Sequence, residues 1–430
     1  MPDLHSENLA IAILGAGPAG CTLACFLALR GIPCVVFDDD KRPDLLVGES
    51  LVPAVVQTLK KLGIEERVAD CSVKKPGASF FHPSDTRVHL KFTKHGKKEP
   101  GYAYNVPRPE FDNILRERAI ELGVPFIHHR AKVQCSEHPQ RDVELTDESL
   151  RAAGLNDHPR WLIDATGRNR LLARTLDLPA DTGSRKDVAY FAHFDGFLHD
   201  EVIPGQIIIS ILDHGWAWRI PLRGKLSVGV VMDKKAAKKL GDTPEQRLET
   251  AIHQDPLMKD KAMHAKRITE VKTYTNYQLI SQQGYGKGYI LLGDAFGFVD
   301  PMLSPGLFMS LEAARLLDKH LFAKGIAPRD SDQALDRYIN ELRHWHQSWQ
   351  KLIDQFYDGR ILRMYEAGSS FAEGKRYFSP GKIMERHVRR VISSMASGNG
   401  TCSSYNQKLL EMCDKHMIWD VHDADFYAVK

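Results

Sequence analysis

The sequence predicts an α/β protein. A doubly wound, Rossmann-like domain is assembled from separated segments, with an antiparallel β-sheet substrate module inserted and helices at the C-terminus. Three observations predict it. LAIAILGAGPAGCTLACFLALRGIPCVVFDDD reads as apolar strand, glycine turn, helix and second apolar strand. Residues Val188–Phe197, Gln206–Leu212, Gly215–Leu222 and Leu226–Met232 are strand-like runs separated by turns. From about Ala327 the apolar spacing turns helical, most densely in WHQSWQKLIDQFYDGRILRMY.

The first element carries the strongest local signal. Gly15, Gly17 and Gly20, with Ala16 and Ala19 between them, fit G-x-G-x-x-G. The first glycine permits the turn, the second lets a pyrophosphate approach the backbone, and the third lets helix and strand pack closely. Asp38 closes the second strand, where an acid accepts ribose hydroxyls. Farther along, GYILLGDAFGFVDP holds a short strand, Tyr289–Leu292, ending in Gly293-Asp294, and a helix over Leu307–Leu321 follows. An acid at a strand end beside small residues can bond a ribose or ribityl hydroxyl, and the helix can aim its N-terminal amides at a bound ring.

Composition sets the outer limits. A chain of 430 residues divides into two or three modules, and 43% hydrophobic with 26% charged residues is ordinary for a globular protein. A net charge of +3 gives no argument for nucleic acid, and KKAAKK (Lys234 to Lys239) reads as a solvated helix face. Seven cysteines without a CxxC pair point to a reducing, cytoplasmic setting. No apolar run approaches the ~18 residues of a membrane span, and MPDLHSENLAIAILGAG has no signal-peptide pattern. Nineteen histidines include His128-His129 and His344-x-His346 but no ligand ladder, so no metal site is expected. GSSFAEGK (Gly368 to Lys375) and ASGNGTCSS (Ala396 to Ser404) read as loops. The expected division is 1–75, 105–185 and 280–325 for the nucleotide domain, 76–104 and 186–279 for the substrate module, and 326–430 for a helical cap.

GAGPAG, then RWLIDATGR, then GDAFGFVDP, in that order, resembles the flavin-binding framework of aromatic-hydroxylase-like FAD enzymes. The resemblance implies FAD as cofactor, with Arg108 in VPRPEFDNILRERA contacting it and Glu49-Ser50 in VGES beside the flavin. GWAWRIP narrows it further, because Trp216, Trp218, Ile220 and Pro221 match the W-x-W-x-I-P motif of flavin-dependent halogenases. Phe298, Pro301, Ser304 and Gly306 match that family's F-x-x-P-x-x-S-x-G, and Lys75 in KPGASFF stands where it carries its essential lysine. The resemblance spans roughly Ile11 to Leu321.

The resemblance implies a mechanism. FADH2 from a separate flavin reductase, O2 and chloride or bromide give hypohalous acid, which passes to Lys75 and halogenates an electron-rich phenol or pyrrole, free or bound to a carrier protein. Trp216, Trp218, Ile220, Pro221 and Phe298 partition flavin from substrate, Pro301, Gly306 and Leu307 border the flavin, and Ser304, Pro305 and Gly306 cradle the halide. Lys74 competes for the lysine role, but alternation along a strand points it the other way. Two departures stand out. Pro305 has no N–H to offer an anion, and Leu303 occupies the position where indole halogenases carry a glutamate. The alternative on the same framework is a flavin monooxygenase or an isoprenoid or polyene reductase.

Overall fold

The protein is described by a computed structural model over residues 11–41, 43–84, 86–93, 100–199, 203–276, 278–326, 331–365, 380–416 and 428–429. The predicted loop at Gly368–Lys375 lies outside these residues; the one at Ala396–Ser404 links the helices Pro380–Ala396 and Ser404–His416.

Ile11–Leu14 is apolar at every position, and so is the strand Cys34–Asp38 up to its terminal acid, because helices cover both faces of their sheet. That sheet has six strands in the order Tyr285–Gly286, Tyr289–Leu291, Trp161–Asp164, Ile11–Leu14, Cys34–Asp38, Phe126–His128. All neighbours are parallel except the short edge strand Tyr285–Gly286. Sequence positions far apart therefore end side by side, and the carboxyl ends of the five parallel strands open onto one crevice.

The second sheet has eight strands. Asp187–Asp195, Lys225–Asp233, Gly215–Leu222 and Ile207–Leu212 form its antiparallel centre, and Gly77–Phe81 and Arg87–Lys91 continue it to one edge. Alternation gives it two apolar faces. Val188, Tyr190, Val228, Val230 and Met232 pack under the helix Pro244–Gln254, while Phe191, Ile209, Trp216 and Trp218 belong to the large core shared with the first sheet. A separate pair, Val73–Lys75 with Ala103–Asn105, carries Lys75.

One helix differs from expectation. The run Leu307–Leu321 is a helix over Gly306–Leu317 that relaxes into a π turn at Asp318–Phe322, where Asp318 pairs with Arg30.

Gly20 is a packing glycine. A Cβ there would lie 2.1 Å from the Gly15 carbonyl oxygen, so the helix Pro18–Leu29 could not approach its strand. Gly20→Ala is expected to cost about 3 kcal/mol or more, read as a lowered urea midpoint.

Candidate active site

The crevice at the strand ends is a cleft of about 640 Å³. One wall is the first sheet's turns, and the opposite wall is Ile207, Ile209, Trp216, Trp218 and Ile220 from the second.

Gly15 adopts φ +111°, and a Cβ there would meet Ala165 O at 2.6 Å. At Gly17 a Cβ would meet nothing within 4 Å, so the backbone stands bare before the cleft. The following helix has no side-chain cap, leaving its first amides directed at any anion placed there. These features fit a dinucleotide pyrophosphate. Asp38 lines the same end, with Oδ2 held by Arg116 Nε at 3.1 Å and Oδ1 accepting from Asp40 N–H. Ribose hydroxyls would share an acid that is already oriented.

Arg108 pairs with Asp112 one turn along its helix and donates to the Val47 carbonyl, fixing the Val47–Ser50 loop against the cleft. Asp294 also lines the cleft, accepts weakly from Ser310 Oγ at 3.4 Å, and is pushed up to about 6 by desolvation. Gly293 behind it takes φ +58° against Ala19. Asp164 is structural: its carboxylate accepts from Thr166 N–H and Oγ1–H and from Leu172 N–H.

Trp216 and Trp218 share one strand face, with ring centroids 5.8 Å apart and both rings buried. Trp218 Nε1–H donates to Ser227 Oγ at 3.2 Å. Trp216 Nε1–H donates to Tyr357 Oη at 2.9 Å, and that hydroxyl reaches both oxygens of buried Asp300 at 3.1 Å. Pro221 is buried in the same strand but does not reach the cleft. Phe298 does, with the Arg168 guanidinium 4.8 Å from its ring centre.

The Pro301–Leu307 corner is unusual. Leu303 and Ser304 take φ +68° and +61°, two successive left-handed non-glycine residues of the kind that concentrates at functional sites. Ser304 N–H is already given to Pro301 O at 2.9 Å, and Pro305 has none. The helix beginning at Gly306 has no side-chain cap, so the Gly306 and Leu307 amides are the donors this corner can offer an anion.

Lys75 does not line the cleft; it lies behind it. Only 2% exposed, it donates from Nζ to Ser50 Oγ at 2.8 Å and Leu51 O at 2.9 Å, and Ser50 is itself on the cleft wall. Burial lowers its amine from 10.5 to about 7. Lys74, the next residue on the strand, is exposed, with Nζ 4.5 Å from the centre of the Tyr102 ring.

Three contributors escaped the sequence reading. His193 Nε2 lies 2.6 Å from Glu49 Oε1, both buried. The signal was available, since His193 continues the inward set Ala189, Phe191 on its strand. Tyr357 and Asp300 have no comparable local sign, because their meeting with Trp216 is wholly tertiary. Among the described residues there is no metal-ligand cluster, and no helix is long and apolar enough to cross a membrane.

Residues 8–352 match a family model described as FAD binding domain. Among curated proteins, the chain is 26% identical to the 1H-pyrrole-2-carbonyl-[peptidyl-carrier protein] chlorinase of Pseudomonas fluorescens, over 96% of this chain and 93% of that one. Among solved structures, it overlays on the myxobacterial chondrochloren halogenase with a TM-score of 0.72 at 22% identity, covering 99% of this chain and 100% of the other. A flavoprotein/dehydrogenase from Cytophaga hutchinsonii gives 0.76 at 22% identity, covering 95% and 100%.

Proposed function

We propose, for a chain that belongs to the FAD binding domain family, a flavin-dependent halogenase that uses FADH2, O2 and chloride or bromide and delivers the halogen through Lys75 to an electron-rich phenol or pyrrole. The observation that carries this reading is the buried amine placed one hydroxyl behind the cleft wall, in a chain whose curated relative is a chlorinase.

Bound FAD supplies the oxidation of halide by O2. The chain's own residues do the rest. The Gly15–Gly20 turn and the helix after it hold the pyrophosphate, and Asp38 takes ribose hydroxyls. Arg108 and Asp294 flank the ring end. Gly306 and Leu307 amides attract the halide, and Trp216, Trp218, Ile220 and Phe298 exclude the organic substrate from the flavin. Ser50 connects the cleft to Lys75, whose amine either hydrogen-bonds hypohalous acid or takes up the halogen. Leu303 leaves no carboxylate to receive the departing ring proton, which favours arenes that are already electron-rich. The relative's printed substrate supports a pyrrole borne on a carrier protein. One dinucleotide motif supports a separate flavin reductase as the source of FADH2.

The test is mass spectrometry of products from a reductase-coupled reaction with bromide, run on free and carrier-bound phenols and pyrroles. Halogenated product supports the reading. Rapid NADPH oxidation without the reductase, and no halogenated product, would instead favour a monooxygenase or reductase, the reading that the Ser304–Pro305 corner supports by its shortage of donors.

That corner gives a direct prediction. Pro305→Ser restores a backbone N–H at the helix N-cap, a position serine prefers. One regained donor to a buried anion is worth about 1.5–3 kcal/mol, so KM for bromide should fall about tenfold or more while FAD affinity stays unchanged.

A further inference from the structure

The Lys75 amine has two hydrogen-bond partners among the described residues, and they differ in kind. The Leu51 carbonyl oxygen, 2.9 Å from Nζ, can only accept. The Ser50 hydroxyl, 2.8 Å from Nζ, accepts from the amine and keeps a proton of its own to give. Ser50 also lines the flavin cleft, whereas Lys75 does not. One hydroxyl therefore touches both the amine and the space from which an oxidant would come.

The bond between them is held from both ends. Residues 49–51 run beside the strand Ala103–Asn105: Val106 N–H donates to Glu49 O at 2.8 Å, Leu51 N–H donates to Tyr104 O at 2.9 Å, and Ser50 bridges Asn105. The same strand pairs with Val73–Lys75 and sets Lys75 opposite Ala103. The Glu49 carboxylate turns to His193, so the second sheet pins the segment as well. Ser50 is 3% exposed and Lys75 2%, which keeps bulk water from the pair.

We propose that Ser50 is a catalytic proton shuttle for the loading of Lys75: it protonates the oxygen that leaves hypohalous acid while it takes a proton from the amine. The inference rests on the halogenase reading above, in the form in which the amine takes up the halogen. The nitrogen lone pair forms an N–X bond as the X–O bond breaks, and the X–O electron pair passes to oxygen. Hydroxide leaves poorly, and no solvent stands by to protonate it. The Ser50 Oγ–H supplies that proton, the departing group becomes water, and an Nζ–H proton replaces the one Ser50 gave. Amine and hypohalous acid thus become haloamine and water. The halogen keeps its oxidation level, so no further oxidant or reductant enters. The Leu51 carbonyl has no proton to give and cannot take this part. Burial, which lowers the amine to about 7, leaves its lone pair free in mild alkali.

The experiment mixes oxidised, FAD-loaded full-length protein with less than one equivalent of hypobromous acid at about pH 8 in a stopped-flow instrument. The bromamine absorbance that Lys75→Met lacks is the Lys75 signal. Ser50→Ala should load bromine at least tenfold more slowly, while Ser50→Thr, which keeps a hydroxyl, should stay within about threefold of wild type. Ser50→Ala removes an acceptor that favours the ammonium, so its amine is no more protonated than that of wild type and the slower rate is not a titration effect. In mixtures of H2O and D2O the wild-type rate should curve against deuterium fraction, as two protons moving together require, and the dependence should straighten in Ser50→Ala. Unchanged loading in a folded, FAD-loaded Ser50→Ala protein, an equal loss in Ser50→Thr, a straight deuterium dependence in wild type, or no Lys75-dependent bromamine in wild type would overturn the proposal. Failure of the reductase-coupled reaction to halogenate any arene would count against the halogenase reading alone, because loading from added hypobromous acid needs neither FADH2 nor O2.

Discussion

Lys75→Met abolishes halogenated product while the protein still folds and binds FAD. The expectation rests on what the amine costs and what it alone provides. In the folded chain it titrates near 7 rather than 10.5 because burial penalises the ammonium. The folded state therefore gives up a proton that the unfolded chain keeps through neutral pH. The contribution of this one group to stability is fully present above pH 10.5 and is lost as pH falls towards 7, by about 5 kcal/mol in all. Methionine removes that penalty and fills similar volume, while Ser50 Oγ and Leu51 O lose a donor at about 1–3 kcal/mol. The variant should therefore be no less stable than wild type in mild acid, and its lost activity is chemical. Product formation in a folded, FAD-loaded Lys75→Met protein would sink the assignment, and an equal loss in Lys74→Met would point to the neighbouring residue.

The same amine has two possible roles with opposite pH dependence. If the neutral amine takes up the halogen, the rate of arene halogenation with saturating bromide climbs through pH 7 and levels above pH 8. If the ammonium only donates a hydrogen bond, the rate declines over that range. Bromide is the halide to use, because hypobromous acid is the weaker acid and stays protonated across the window. Lys75→Arg, charged at every pH of interest, distinguishes the roles a second time.

Much of this arrangement was legible in the chain because it is local. Gly15, Gly17 and Gly20 act within one turn, and the strand Gly215–Leu222 has the bounds its alternation predicts. Lys75 and Lys74 part to opposite sides as period-two geometry requires. What the sequence hid is either long-range or a matter of competing donors. The Glu49–His193 contact spans 144 residues. Asp38 is shared with Arg116, and Ser304 N–H is spent on Pro301; neither can be read from a motif that names residue types.

Trp216→Ala should uncouple halide oxidation from product. The side chain is 3% exposed, packed at a tilt against Trp218, and tied through Tyr357 to Asp300. Asp300 also accepts from Met302 N–H at 2.8 Å, so the carboxylate that anchors the indole also braces the entry to the left-handed Leu303–Ser304 turn. Removing the indole costs about 3–5 kcal/mol in lost packing and opens the wall beside the flavin cleft. FAD remains bound, halide is still oxidised, and the oxidant escapes, so the ratio of oxidant trapped by an added thiol to halogenated arene rises at least tenfold. Trp216→Phe separates wall from anchor. It keeps most of the barrier but strips Tyr357 of its donor, a loss of about 1–3 kcal/mol, so its coupling should stay near wild type while its urea midpoint falls. Wild-type coupling in a folded Trp216→Ala protein would mean that the tryptophan pair only packs the core, and that the separation of oxidant from arene is achieved elsewhere.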